Sequence, residues 1–130
     1  MKKIGPILAQ DAPIAIGPYS HAFKFENLVF TSGQLGIDPL TSNLAGPTIR
    51  EQTVQCFSNL RAVLNEAGSG LCNIIKITVF LKSMKNFPEV NEIYKQFVST
   101  DYPARTCVEV SKLPLDALVE IEAIAYCESN

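Results

Sequence analysis

Polar and apolar residues alternate most cleanly near the end of the chain. Val119, Ile121, Ala123 and Ala125 form an apolar face, and Glu120 and Glu122 lie opposite it, because side chains on a strand change face at every residue. Just upstream, Arg105, Cys107 and Glu109 share one face, and Thr106, Val108 and Val110 share the other. Pro103–Ala125 is therefore expected to form two antiparallel strands joined by a short loop around Pro114. If both apolar faces cover one core, Arg105 and Glu120 should emerge on the same side of the sheet. No other stretch concentrates as much chemistry.

The rest of the chain supplies a frame for those strands. Gly5, Pro6, Pro13, Gly17 and Pro18 predict an irregular segment over residues 1–18, since proline removes a backbone donor and glycine loosens the chain. Ser20–Phe25 and Leu28–Leu35 read as a strand pair around a tight turn at Glu26-Asn27. The second strand carries Thr31-Ser32-Gly33-Gln34, small polar residues where a core strand prefers bulk. Gly33 permits close approach by a ligand or by another strand, and a bulge is the plainer reading. Asp38–Pro47 reads as a loop. Thr48 and Glu51 have capping-box spacing, and Val54, Phe57, Leu60, Leu64 and Ala67 recur at helical intervals up to Gly68. Asn73–Lys82 reads as a strand with Ile75, Ile77, Val79 and Leu81 on one face. Asn86–Val98 reads as a second helix, with Asn86 and Glu89 repeating the cap spacing and Asn91 beside its apolar stripe, open to solvent or to a site. The order β-β-α-β-α-β-β predicts an α+β fold: a single mixed sheet with two helices on one face. The opposite face is too polar for a core and too aromatic to be only solvated. A subunit interface with a site in it is the economical explanation.

Composition narrows the class. The 130 residues are expected to form one domain, 1–130, and 47% are hydrophobic and 18% charged, with a net charge of −2. That balance argues against disorder and against a nucleic-acid-binding stripe. Apolar runs are too short for a membrane span. Lys2 and Lys3 precede no apolar stretch of signal-peptide length, so a cytoplasmic protein is expected. Cys56, Cys72, Cys107 and Cys127 lack zinc-site spacing and are expected as free thiols, with Cys56 and Cys72 buried. The single histidine, His21, is expected at the surface.

Five blocks then fall together in order: IGPYS (Ile16–Ser20), TSGQL (Thr31–Leu35), VNEIY (Val90–Tyr94), YPARTCVEV (Tyr102–Val110) and IEAIA (Ile121–Ala125). Over nearly its whole length the chain resembles the Rid/YjgF family of reactive-intermediate (enamine/imine) deaminases. The resemblance implies a chorismate-mutase-like fold assembled as a homotrimeric barrel, with sites in clefts between subunits. It implies hydrolysis of 2-aminoacrylate and 2-aminocrotonate, as their imine tautomers, to 2-oxo acids and ammonia, with no metal and no cofactor. Arg105 would clamp the substrate carboxylate and Glu120 would orient the attacking water. Tyr19, Ser32, Gly33, Asn91 and Cys107 match positions that line the site. The segment before Tyr102 is short compared with many members, which would reshape one rim of the cleft. Read without the resemblance, Arg105 and Glu120 on adjacent strands suggest a cross-strand ion pair. A non-catalytic metabolite-binding regulator, or a ribonuclease or translation inhibitor, are the alternative functions, and the acidic balance argues against the last.

Overall fold

The computed structural model describes residues 4–98 and 101–128. Lys2 and Lys3 lie outside the described residues, as does half of the short connection that precedes Tyr102. In chain order the strands are β1 (Ile4–Ile7), β2 (Ala22–Phe25), β3 (Leu28–Thr31), β4 (Gln34–Leu35), β5 (Ile74–Leu81), β6 (Ala104–Glu109) and β7 (Val119–Tyr126). Helix α1 (Ile49–Glu66) precedes β5, and α2 (Phe87–Phe97) links β5 to β6. All seven strands form one mixed sheet in the order β1-β2-β3-β7-β5-β6, with β4 also on β7. Among the described residues, only the β5–β6 pair is parallel. The α+β architecture with two helices is thus the one expected.

Helix α1 begins as its sequence dictates. The Thr48 hydroxyl accepts from the Glu51 amide and the Glu51 side chain returns to the Thr48 amide, closing the capping box. Its buried stripe is Ile49, Thr53, Cys56, Phe57, Leu60, Val63 and Leu64, and burying each large apolar side chain contributes about 1.5–3 kcal/mol. Val54 falls off this stripe and is exposed. Phe57 stacks on Phe97 at 4.9 Å and meets Tyr94 edge-on, so the two helices fix each other. Gln52 and Asn59 are buried on the same helix. The Asn59 amide donates to the carbonyls of Leu35 and Ile37, and the Gln52 carbonyl accepts from the Leu118 amide. These bonds set β4 and the start of β7 against the helix.

Several expectations are corrected. Residues 4–7 are a strand, paired antiparallel with β2, not an irregular segment; Pro6 is tolerated because β1 lies at the sheet edge. The Asn86 side chain makes no cap bond; a 3-10 turn over Met84–Asn86, capped by Ser83, leads into α2 instead. In β5 a bulge between Ile74 and Lys76 makes Ile75 the extra residue, so Ile74 is buried and Ile75 exposed. Cys72 is exposed, whereas Cys56 and Cys127 are buried; all four thiols are free. Most consequentially, β6 and β7 do not pair with each other, because β5 lies between them.

The sheet therefore has two unlike faces. Val29, Ile77, Val79, Val119, Ile121 and Ala125 join the helices in the core. On the other face Phe23, Phe25 and Phe30 are 41–51% exposed, with no helix over them among the described residues. A smaller cluster of Leu35, Ile37, Leu113 and Ala117 covers Phe80 at one end of that face. No helix among the described residues is long and apolar enough to cross a membrane.

Candidate functional site

Glu120 sits on the open face of β7, and a bulge in the neighbouring strand shapes its surroundings. Phe30 pairs with Ile124, but Gln34 pairs with Ile121. Three residues, Thr31 to Gly33, thus stand opposite two, and an extra residue of this kind re-aims side chains and kinks the strand. The Thr31 hydroxyl fills the broken ladder by accepting from the Ala123 amide. Ser32 is tied back to the residues that lead into β2: its hydroxyl donates to the Ser20 carbonyl at 2.6 Å and its amide to the His21 carbonyl at 2.9 Å.

The bulge lays Gly33 directly against the Glu120 side chain. A Cβ at Gly33 would stand 2.8 Å from the Glu120 carboxyl carbon and 3.0 Å from Oε1. Close approach, not backbone freedom, requires glycine here. Among the described residues, no hydrogen bond or ion pair holds the Glu120 carboxylate. Its pKa is raised, first by burial and then by the neighbouring Glu122 carboxylate. Its pocket, about 320 Å³, is walled by Tyr19, Ile14, Ile16, Ser32 and Pro114, and no lysine or arginine lines it. Such a carboxyl is poised to exchange protons, since it has no fixed partner to spend its charge on.

Arg105 occupies a different place. It lies on the edge strand β6, in register with Ile77 and hence on the helix side of the sheet. Its Nη1 donates to Asn91 Oδ1 at 2.7 Å, which settles where Asn91 points. The guanidinium lies over the Tyr94 ring at 4.8 Å and near Phe87 at 5.5 Å. Two aromatic faces and one amide thus orient a fork whose other donors remain available. A cavity of about 490 Å³ adjoins it, walled also by Tyr102, Lys95 and Pro103.

Cys107 follows two residues later on the same side and packs partly against the core. Burial raises its thiol pKa, with Arg105 pulling the other way, so the sulfur is not an activated nucleophile. Its backbone lies on the edge strand. The Val110 amide bonds to β5, and backbone groups on a parallel strand alternate in direction. The N–H and C=O groups of Arg105, Cys107 and Glu109 therefore point outward from the sheet edge.

The expected juxtaposition of Arg105 and Glu120 within one chain is corrected by this topology. Arg105, Ile77 and Ala123 form one cross-strand row, and Val108, Phe80 and Glu120 another. Arg105 shares the core-side orientation of Ala123, whereas Glu120 takes the open side. The inserted β5 reverses the expectation, which assumed direct pairing. A cross-strand ion pair between them is excluded as well. Tyr19, Ser32, Gly33 and Glu120 gather in one pocket, and Asn91, Arg105 and Cys107 at the other edge.

His21 is also corrected: it is 5% exposed, with both ring nitrogens bonded. Sequence reasoning missed Phe87 and Tyr94 as supports for Arg105; their place on the helical stripe reads only as core. Among the described residues, no group of three or more His, Cys, Asp or Glu side chains gathers as metal ligands.

A mixed sheet with two helices on one face defines a small α+β protein. The chain belongs to the Rid/YjgF (RutC) family, whose model, described as Endoribonuclease L-PSP, matches residues 9–127. A RutC family protein of Pyrococcus abyssi is 46% identical over 94% of this chain and 96% of its own length. A 2-iminobutanoate/2-iminopropanoate deaminase of Dermatophagoides farinae is 38% identical over 90% of this chain and 91% of its own. The crystal structure of E. coli TdcF with bound serine superposes with a TM-score of 0.90 at 39% identity, covering 95% of this chain and 99% of that one.

Proposed function

We propose that the protein hydrolyses small 2-imino acids, 2-iminopropanoate and 2-iminobutanoate, to the 2-oxo acid and ammonia, as a homotrimer with each site shared between two subunits. The observation that carries this reading is Glu120: a half-buried carboxyl with a raised pKa, no bonded partner and a glycine at its back. An ion pair or a packing role would leave it either bonded or solvated. The similarity to a protein named as this deaminase, and to one that binds serine, an amino acid of matching size, supports the substrate class.

In this reading the substrate carboxylate takes the open donors of Arg105 in a bidentate pair, with the Cys107 backbone beside it. A neighbouring subunit brings Glu120, Ser32 and Tyr19 to the imine end. Glu120 accepts a proton from water as the oxygen bonds to the imine carbon. The same proton passes to the nitrogen, giving a carbinolamine; the carbinol O–H proton then moves through Glu120 to that nitrogen, the C=O bond forms as the C–N bond breaks, and ammonia leaves. The exposed phenylalanines of the open face would be covered by the other two copies. A ribonuclease reading fares worse, because the Glu120 pocket offers no cation for a phosphate.

The test couples the protein to a threonine dehydratase and follows 2-oxobutanoate in the first seconds. Acceleration by catalytic amounts, lost in Arg105→Ala, is the expected result. Equal traces with and without the protein would leave it a binding module.

A further inference from the structure

We infer that His21 is a positioning residue of the Glu120 pocket, clasping the arm at residues 9–19 to the bulge that carries Ser32 and Gly33. Its link to catalysis rests on the deaminase reading; the clasp itself does not.

His21 is buried beside the pocket it lines. Its Nδ1 accepts from the Ala9 amide at 2.9 Å, and its Nε2 lies 2.7 Å from the Pro13 carbonyl. An acceptor on one side and a donor on the other require the neutral ring with its proton on Nε2. The carbonyl of the same residue takes the Ser32 amide. One residue therefore bonds both walls of the pocket, the arm through its ring and the bulge through its backbone. With both nitrogens occupied, the ring is not free to act as a general base, so its role is to position.

Little else holds the rim. Between Pro13 and Tyr19 the arm pairs with no strand. Ile14 and Ile16 are 82% and 64% exposed in the single chain, so burial within the chain does not fix them. The arm's anchors in the core are the small side chains of Ala9 and Ala12, each supplying little apolar area. Beyond them, among the described residues, the inward bond on the rim is the one from His21 to Pro13, with the Ser32 hydroxyl bonded to the Ser20 carbonyl just past the arm's end. The Tyr19 hydroxyl only accepts from the Ile16 amide within the arm at 3.3 Å.

The experiment uses the full chain in its native assembly, with His21→Leu, His21→Asn and His21→Gln. Hydrogen exchange by mass spectrometry reads the arm, and the dehydratase-coupled assay reads turnover. In His21→Leu, peptides covering residues 9–19 should exchange roughly tenfold faster or more, while β5 and β7 stay protected. The kcat/KM should fall roughly ten- to a hundredfold, because the pocket wall is no longer set. Glutamine can accept and donate at similar reach and should restore both readouts. Asparagine reaches one partner, and should fall between. Unchanged arm exchange in His21→Leu would overturn the clasp, and faster exchange with wild-type kcat/KM would overturn the positioning role. If His21→Leu does not fold, an asparagine variant equal to wild type in both readouts overturns the proposal. If the wild-type protein turns over no imine, the deaminase reading falls, and exchange alone decides the clasp.

Discussion

Two inactive chains should restore activity when mixed; the sheet register says why, and random assembly says how much. Arg105 and Glu120 are separated by two strand spacings and three residues along β7. At about 4.8 Å per strand and 3.3 Å per residue, their Cα atoms lie roughly 14 Å apart, and their side chains leave opposite faces. A three- or four-carbon acid cannot bridge that gap within one chain. If each site takes Arg105 from one copy and Glu120 from the next, both Arg105→Ala and Glu120→Ala assemblies are dead. Co-refolded in equal amounts, random mixing places an intact Arg105 half beside an intact Glu120 half at about a quarter of the sites. The coupled assay should therefore recover about a quarter of wild-type turnover per site from the mixture. Each variant assembled alone gives the background. A mixture no better than that background, after exchange of subunits is verified by native mass spectrometry, would refute the shared site.

Further outcomes test single groups. Gly33→Ala places a methyl 2.8 Å from the Glu120 carboxyl carbon; it should cost roughly 10- to 100-fold in kcat/KM with little loss in urea midpoint, and wild-type kinetics would remove Glu120 from the reacting centre. Burial and Glu122 raise the Glu120 pKa, so the folded state holds this proton more tightly than the unfolded chain. Stability is then lost as pH rises through that window, and Glu120→Gln should raise Tm at pH 7 but not below the ordinary carboxylate range. Arg105→Lys should be nearly as inactive as Arg105→Ala, because an ammonium cannot copy the fork. Its loss of the ring contacts should cost only about 0.5–1 kcal/mol in denaturant unfolding. Equilibrium sedimentation should give about three times the 14.2 kDa chain mass, with a stable monomer as the contrary result.

Much of the frame is legible in the sequence because its signals are local. The Thr48–Glu51 box is satisfied within one turn of α1, and the alternation of Val119–Ala125 reports burial residue by residue. Errors arise where one residue shifts a period. Ile75 looks like part of an apolar face until the bulge beside it reverses its neighbours. Gly5 and Pro6 look like breakers, but an edge strand tolerates both. His21 looks like a surface residue because its partners, Ala9 and Pro13, offer only backbone atoms, and no residue identity announces a backbone bond.

The placement of Arg105 shows the limit of local reading most clearly. Alternation gives the relative faces of residues within β6 and within β7, and it gives both correctly. It does not say which strand lies beside which. With β6 parallel to β5 and β7 antiparallel to it, the odd-numbered residues of β6 join the odd-numbered residues of β7 on the core side. Arg105 escapes burial there only because β6 is the edge strand and α2 presents Asn91, Tyr94 and Phe87 to it. An arginine on the core side of a sheet would be costly if buried without partners. Here the edge position lets two rings and an amide orient it while leaving donors open. A residue patterned like core but charged, on a strand that the topology leaves at the edge, is thus where a small domain can present a fixed cation to a neighbour.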